Sequence, residues 1–85
     1  MAMADAKTFH LMIARVDGPV FDESAVSVTV PGTEGEMTVL SDHEPFISPL
    51  KEGTITIHQS DGTIESFACT SGTIEIGENE VSILL

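Results

Sequence analysis

Apolar and polar residues alternate with a period of two along most of this chain. Phe9, Leu11 and Ile13 alternate with His10 and Met12. Val26, Val28 and Val30 alternate with Ser27 and Thr29. Ile55 and Ile57 are framed by Thr54, Thr56 and His58, Ile74 and Ile76 flank Glu75, and Val81 and Ile83 flank Ser82. Such runs place one face inward and one toward water, the signature of half-buried strands. Turn signals punctuate them: Asp17-Gly18-Pro19, Pro31-Gly32, Glu34-Gly35, Ser41-Asp42, Glu52-Gly53, Asp61-Gly62, Ser71-Gly72 and Gly77-Glu78-Asn79. This close spacing predicts many short strands. No window repeats apolar residues at helical spacing over three turns, and Gly or Pro interrupts every long one. The expectation is an all-β chain of about eight to ten strands, whose apolar faces pack in two layers or close on themselves. Asp61-Gly62 is the clearest hairpin, joining 54–59 to 63–69. Pro31, Pro45 and Pro49 are expected at bends or edges, because proline cannot donate to a ladder.

Length and composition narrow the reading. Eighty-five residues make one small domain, expected over 8–85 behind a disordered tail of residues 1–7. With no Trp, no Tyr and four Phe, the core must be largely aliphatic. No apolar run approaches the ~20 residues that span a bilayer, and no basic-then-apolar leader opens the chain. Fourteen carboxylates face three cations, Lys7, Arg15 and Lys51, for a formal charge of −11. Nucleic acid and anionic lipid are therefore poor partners, and a basic protein surface is a good one. The same charge also serves simple solubility. Cys69 is the single cysteine. It excludes an intrachain disulfide, fits a reducing compartment, and reads as a small buried hydrophobe.

Catalytic and ligand motifs are missing. There is no Gly-x-Ser-x-Gly elbow, no phosphate loop and no dinucleotide fingerprint. Asp42-His43-Glu44 brings three potential ligands together, but consecutive strand residues point to opposite faces, so a solvated acidic turn is the better reading. The stretch from Val30 to Phe46 is the most distinctive. It combines a Pro-Gly turn, Glu34-Gly35-Glu36, a short strand and the Asp42-His43-Glu44-Pro45 corner. It describes a rigid, acidic, sharply turned edge suited to docking.

These residues carry a resemblance. Val30-Pro31-Gly32-Thr33-Glu34-Gly35-Glu36-Met37, followed by His43-x-Pro45, resembles the signature of the epsilon subunit of F-type ATP synthase (delta in mitochondria). His10-Leu11, Phe21-Asp22, Leu50-Lys51-x-Gly53, Ser71-Gly72-x-Ile74-Glu75-Ile76 and Val81-Ser82-Ile83-Leu84 continue it in one register from about Thr8 to Leu85. Thr38, Ser41-Asp42 and Glu44 depart from the usual residues and make the corner more acidic. The family's C-terminal helical pair and its associated nucleotide site correspond to no residue of this sequence.

The resemblance implies a flattened, two-layer sandwich of ten strands and a non-catalytic rotor subunit of the central stalk. Its partners would be the gamma subunit and the ring of membrane c subunits. Glu34, Gly35 and Glu36 would meet the basic loops of the c ring, and His43, Phe46 and Ile47 would face gamma and the stalk. No cofactor, metal or nucleotide is implied. The location would be peripheral, on the cytoplasmic face of the bacterial inner membrane. An apolar patch of Met37, Phe46 and Ile47 is expected beside the acidic loop, unless these side chains belong to the core. The alternative is a free-standing β-sandwich that binds a ligand or a protein. Recognition of a sugar or small ligand would want exposed aromatics for stacking, and the chain has neither Trp nor Tyr.

Overall fold

A computed structural model describes residues 7–85. Apart from Lys7, the expected N-terminal tail lies outside the described residues. Nine strands follow one another: β1 (Phe9–Arg15), β2 (Gly18–Ala25), β3 (Ser27–Gly32), β4 (Gly35–Leu40), β5 (Phe46–Leu50), β6 (Gly53–His58), β7 (Ile64–Cys69), β8 (Gly72–Gly77) and β9 (Glu80–Leu84). They form one curled ladder in the order β2-β1-β9-β8-β5-β3-β6-β7, with β4 paired to β3. Among the described residues the count is nine, against the ten that the resemblance implies.

β3 is the junction of the curl. It pairs with β4 along its whole length on one edge. On the other edge it pairs first with β6 at Ser27–Thr29 and then with β5 at Gly32. The sheet therefore splits at β3, and its halves face each other. The thinnest dimension is 19 Å, which suits two layers about 10 Å apart with their outer side chains. Away from β3 the halves are joined by the edge-on contact of Phe21 and Phe67, whose ring centroids lie 6.1 Å apart. Gln59 adds a second tie, donating to Glu23 Oε1 at 3.0 Å and to the Ser24 carbonyl at 3.4 Å.

The alternating runs supply the core. Phe9, Leu11, Ile13, Val28, Val30, Ile55, Ile57, Ile74, Ile76, Val81 and Ile83 are all buried, with Phe21, Ala25, Val39, Leu50 and Cys69. Burial pushes the Cys69 thiol above its ordinary pKa, so it behaves as a hydrophobe rather than a nucleophile. At the Asp61-Gly62 hairpin, Gln59 N–H bonds the Thr63 carbonyl at 2.9 Å. Thr63 N–H also donates to Asp61 Oδ1 at 2.9 Å. The hydrogen bonds from Thr63 hold the Asp61 carboxyl below its usual range.

Two strands depart from the sequence reading. Gly18-Pro19 opens β2 rather than only turning the chain, and Phe46–Leu50 forms β5 despite Pro49. The Pro49 carbonyl accepts from Thr33 N–H at 3.3 Å, on the side away from β8. The missing proline N–H therefore points to that same side and interrupts no bond to β8.

His10 has acidic neighbours on both sides. It sits on β1 between β2 and β9, its Nε2 hydrogen-bonds the Asp22 carboxylate, and its Nδ1 lies 3.5 Å from Glu80 Oε2. The Asp22 hydrogen bond, with Glu80 adding to it, raises the His10 pKa above its ordinary value. A raised folded-state pKa stabilises the fold fully below the unfolded value of about 6.5. That contribution disappears as pH rises through the folded value. The melting temperature of the unmodified chain should accordingly fall, relative to His10→Gln, as the pH rises above about 6.5. A difference between the two that stays flat across this rise would contradict the assignment.

Candidate protein-docking interface

The acidic loop is the turn of the β3–β4 hairpin. Gly32 pairs directly with Gly35, leaving Thr33 and Glu34 as the two loop residues. Both glycines are required by geometry. Gly35 has φ +134°, a region that L side chains rarely enter, and a Cβ on Gly32 would stand 2.8 Å from the Gly35 carbonyl oxygen. Thr33, Glu34, Gly35 and Glu36 are exposed. Two carboxylates thus project into water from a tight turn whose backbone has little freedom, so little backbone entropy remains to be lost on docking. Gly35→Ala should cost about 1–3 kcal/mol through backbone strain, lowering the melting temperature by several degrees. An unchanged melting curve would show the turn to be softer than this.

β5 runs beside this turn. Its Pro49 carbonyl accepts from Thr33, and Lys51 N–H donates to the Pro31 carbonyl at 2.9 Å. A hollow of about 440 Å³ results, lined by Gly32–Gly35, Met37 and Phe46–Pro49. Phe46 is 46% and Ile47 64% exposed, so neither belongs to the core. Met37 divides its surface, lining the hollow while packing against buried residues. The acidic lip and an apolar floor are therefore continuous. Thr33, Ser48 and Pro49 line the hollow too, although no motif picks them out.

His43 stands at the opposite end of the strands, beyond the end of β4. Its N–H closes a turn on the Leu40 carbonyl at 3.1 Å, and its Nδ1 donates to the Glu44 carbonyl at 2.9 Å. The ring lies 6.2 Å from that of Phe46 and is tilted 50° to it. With Ser41, Asp42, Pro45, Glu78 and Asn79 it borders an open hollow of about 600 Å³. His43 and the Glu34-Gly35-Glu36 lip are thus separate features, linked by Phe46 and the length of β5. Among the described residues no three His, Cys, Asp or Glu side chains converge as metal ligands. The arrangement is suited to contact: exposed charge, exposed apolar surface and open hollows.

Residues 8–85 match the sequence model of a family described as ATP synthase, Delta/Epsilon chain, beta-sandwich domain. The chain is 40% identical over 78 residues to the ATP synthase epsilon chain of Campylobacter fetus subsp. fetus, covering 92% of this chain and 60% of that relative. It is 37% identical over 75 residues to the ATP synthase epsilon chain of Sulfurimonas denitrificans, covering 88% and 58%. The chain thus spans about three-fifths of the length of these relatives. In fold it resembles a chain of the Euglena gracilis mitochondrial ATP synthase (OSCP/F1/c-ring), with TM-score 0.86, 24% identity, and 91% of this chain and 49% of that one covered. It also resembles a chain in the central stalk and c-ring of the Tetrahymena thermophila mitochondrial ATP synthase, with TM-score 0.78 and 12% identity over 92% and 63%. The nine-stranded curled sheet and its Gly32–Gly35 acidic turn therefore belong to the beta-sandwich domain of the ATP synthase delta/epsilon family.

Proposed function

We propose that this domain is a non-catalytic rotor adaptor of proton-translocating ATP synthase, joining the gamma subunit to the membrane c ring during rotary ATP synthesis. Glu34, Gly35 and Glu36 meet the basic loops of the c ring. His43, Phe46 and Ile47 face gamma. The domain makes and breaks no bond itself, and works peripherally on the cytoplasmic face of a bacterial inner membrane. One observation carries this reading: Glu34 and Glu36 are exposed on a two-residue turn fixed by Gly32 and Gly35, and the turn borders the apolar hollow of Met37, Phe46 and Ile47. Charge gives register and orientation, while the apolar floor supplies contact area. Both are needed, because one exposed ion pair contributes only about 0–1 kcal/mol.

Capture tests the proposal. The immobilised chain, offered dissociated F1 subunits and detergent-solubilised c ring, should retain gamma and, with gamma, the ring. Retention of neither, with a melting temperature that rises on adding a small ligand, would favour the free-standing binding module instead.

A further inference from the structure

We propose that the outer edge of β4 receives an extended segment of gamma as an added strand, the segment carrying Lys or Arg where it passes Asp42 and Glu44 beside His43. The inference rests on the adaptor reading and specifies how one partner is held.

The backbone of β4 has an unused side. The Leu40 carbonyl points away from β3, since it accepts from His43 N–H. Pro31 and Thr33 use their backbone groups on β5, which leaves Gly32, Val30 and Val28 to bond Gly35, Met37 and Val39. The N–H groups of Glu36, Thr38 and Leu40, and the carbonyls of Glu36 and Thr38, therefore face outward from the ladder.

The other free edges are guarded. β2 carries Pro19, a bulge opposite Ile13–Ala14, and a Ser24 carbonyl already bonded by Gln59. β5 carries Pro49, whose carbonyl is taken by Thr33. On β7, Glu65 lies opposite the buried Ile57, on the same face as Phe67 and Cys69, and so places a charge on the inward side. Proline, bulges and inward charge are the usual devices against strand addition. β4 has none of them. Its inward residues are Met37 and Val39, and its outward ones are Glu36, Thr38 and Leu40.

The surroundings of this edge select its occupant. A strand laid along β4 would turn alternate side chains onto Met37 and Phe46, which line the hollow beneath. The edge begins at Glu34 and Glu36 and ends at Asp42 and Glu44, and all four carboxylates are exposed. An extended segment with alternating apolar residues and a basic end complements both features. A second copy of this chain fits less well, because its β4 would bring its own carboxylates to the same edge.

Amide exchange resolved by NMR, on the chain alone and with purified gamma, tests this. The amides of Glu36, Thr38 and Leu40 should slow by about tenfold or more on binding. Those of Met37 and Val39, already bonded to β3, should change little. Thr38→Pro should weaken gamma capture by about tenfold, since it removes an outward N–H and blocks the edge. Thr38→Val, which keeps that N–H, should bind as the unmodified chain does. If gamma binds while the Glu36, Thr38 and Leu40 amides exchange as before, the strand-addition inference is overturned and the adaptor reading stands. If gamma does not bind the unmodified chain at all, the adaptor reading falls and this inference falls with it.

Discussion

Glu36→Lys should reduce reattachment of the catalytic head to stripped membranes by about a hundredfold. The substitution sets a cation against the basic loops proposed for the c ring. Like charges held together across a docked surface cost several kcal/mol, and about 2.7 kcal/mol corresponds to a hundredfold loss. Glu36 is exposed on a hairpin strand, so the fold should tolerate the change, and the melting temperature should move little. Glu36→Gln should be far milder. It removes an exposed pair worth about 0–1 kcal/mol, or no more than about fivefold. Reattachment of the unmodified head should also weaken as salt rises, because screening at physiological ionic strength acts over about 8 Å. Membranes that rebind the Glu36→Lys head as tightly as the unmodified one would remove Glu36 from the interface.

Ile83→Ala should have the largest effect on stability. Ile83 is buried at the centre of the β1-β9-β8 half of the sheet, in register with Ile13 on one side and Ile74 on the other. Truncating it leaves a cavity within this row, and such changes cost about 2–5 kcal/mol. A chain of this size has roughly 4–13 kcal/mol in all, so the variant should be marginally folded at ambient temperature. Its neighbour Leu84 is 61% exposed, and Leu84→Ala should change stability by no more than about 0.5 kcal/mol. Equal costs in chemical denaturation would mean that the Ile13-Ile83-Ile74 row is not the packed centre.

The contrast between Ile83 and Leu84 was legible in the sequence, and so was most of the layering. Where a strand has one wet and one dry face, period two names the buried residues directly, as it does for β1, β6, β8 and β9, and for β3 as far as Val30. It fails at the edges. β2 breaks alternation at Glu23, which stays exposed because the strand is terminal in the sheet and Gln59 can reach its carboxylate. β5 contains Pro49, which reads as a bend or an edge until the open side of that residue is known. Pairing direction is also silent in the pattern. β1 and β9 run parallel, yet alternation looks the same in either direction.

The proposed docking surface was legible in part. Pro31-Gly32 and Glu34-Gly35-Glu36 are local, and their turn chemistry fixes the lip without help from the rest of the fold. The hollow is not local. It depends on Thr33 reaching Pro49, and on Phe46 and Ile47 arriving on a strand that pairs mainly with β8. His43 follows β4 closely in sequence but stands at the other end of the sandwich from Glu34, a separation that only the course of β4 reveals.

In the proposed assembly a stiff acidic turn on this sandwich seats on a basic surface of the c ring. A charge-exchange cycle probes this contact. Glu36→Lys is combined with c subunits whose polar-loop basic residue is changed to Glu, and head reattachment is measured for all four pairings. Each change alone should weaken attachment by about a hundredfold, and the pair together should recover to within about threefold of the unmodified complex, since contacting residues are strongly non-additive. Losses that simply multiply, with no recovery in the exchanged pair, would contradict contact between the two charges and the account built on it.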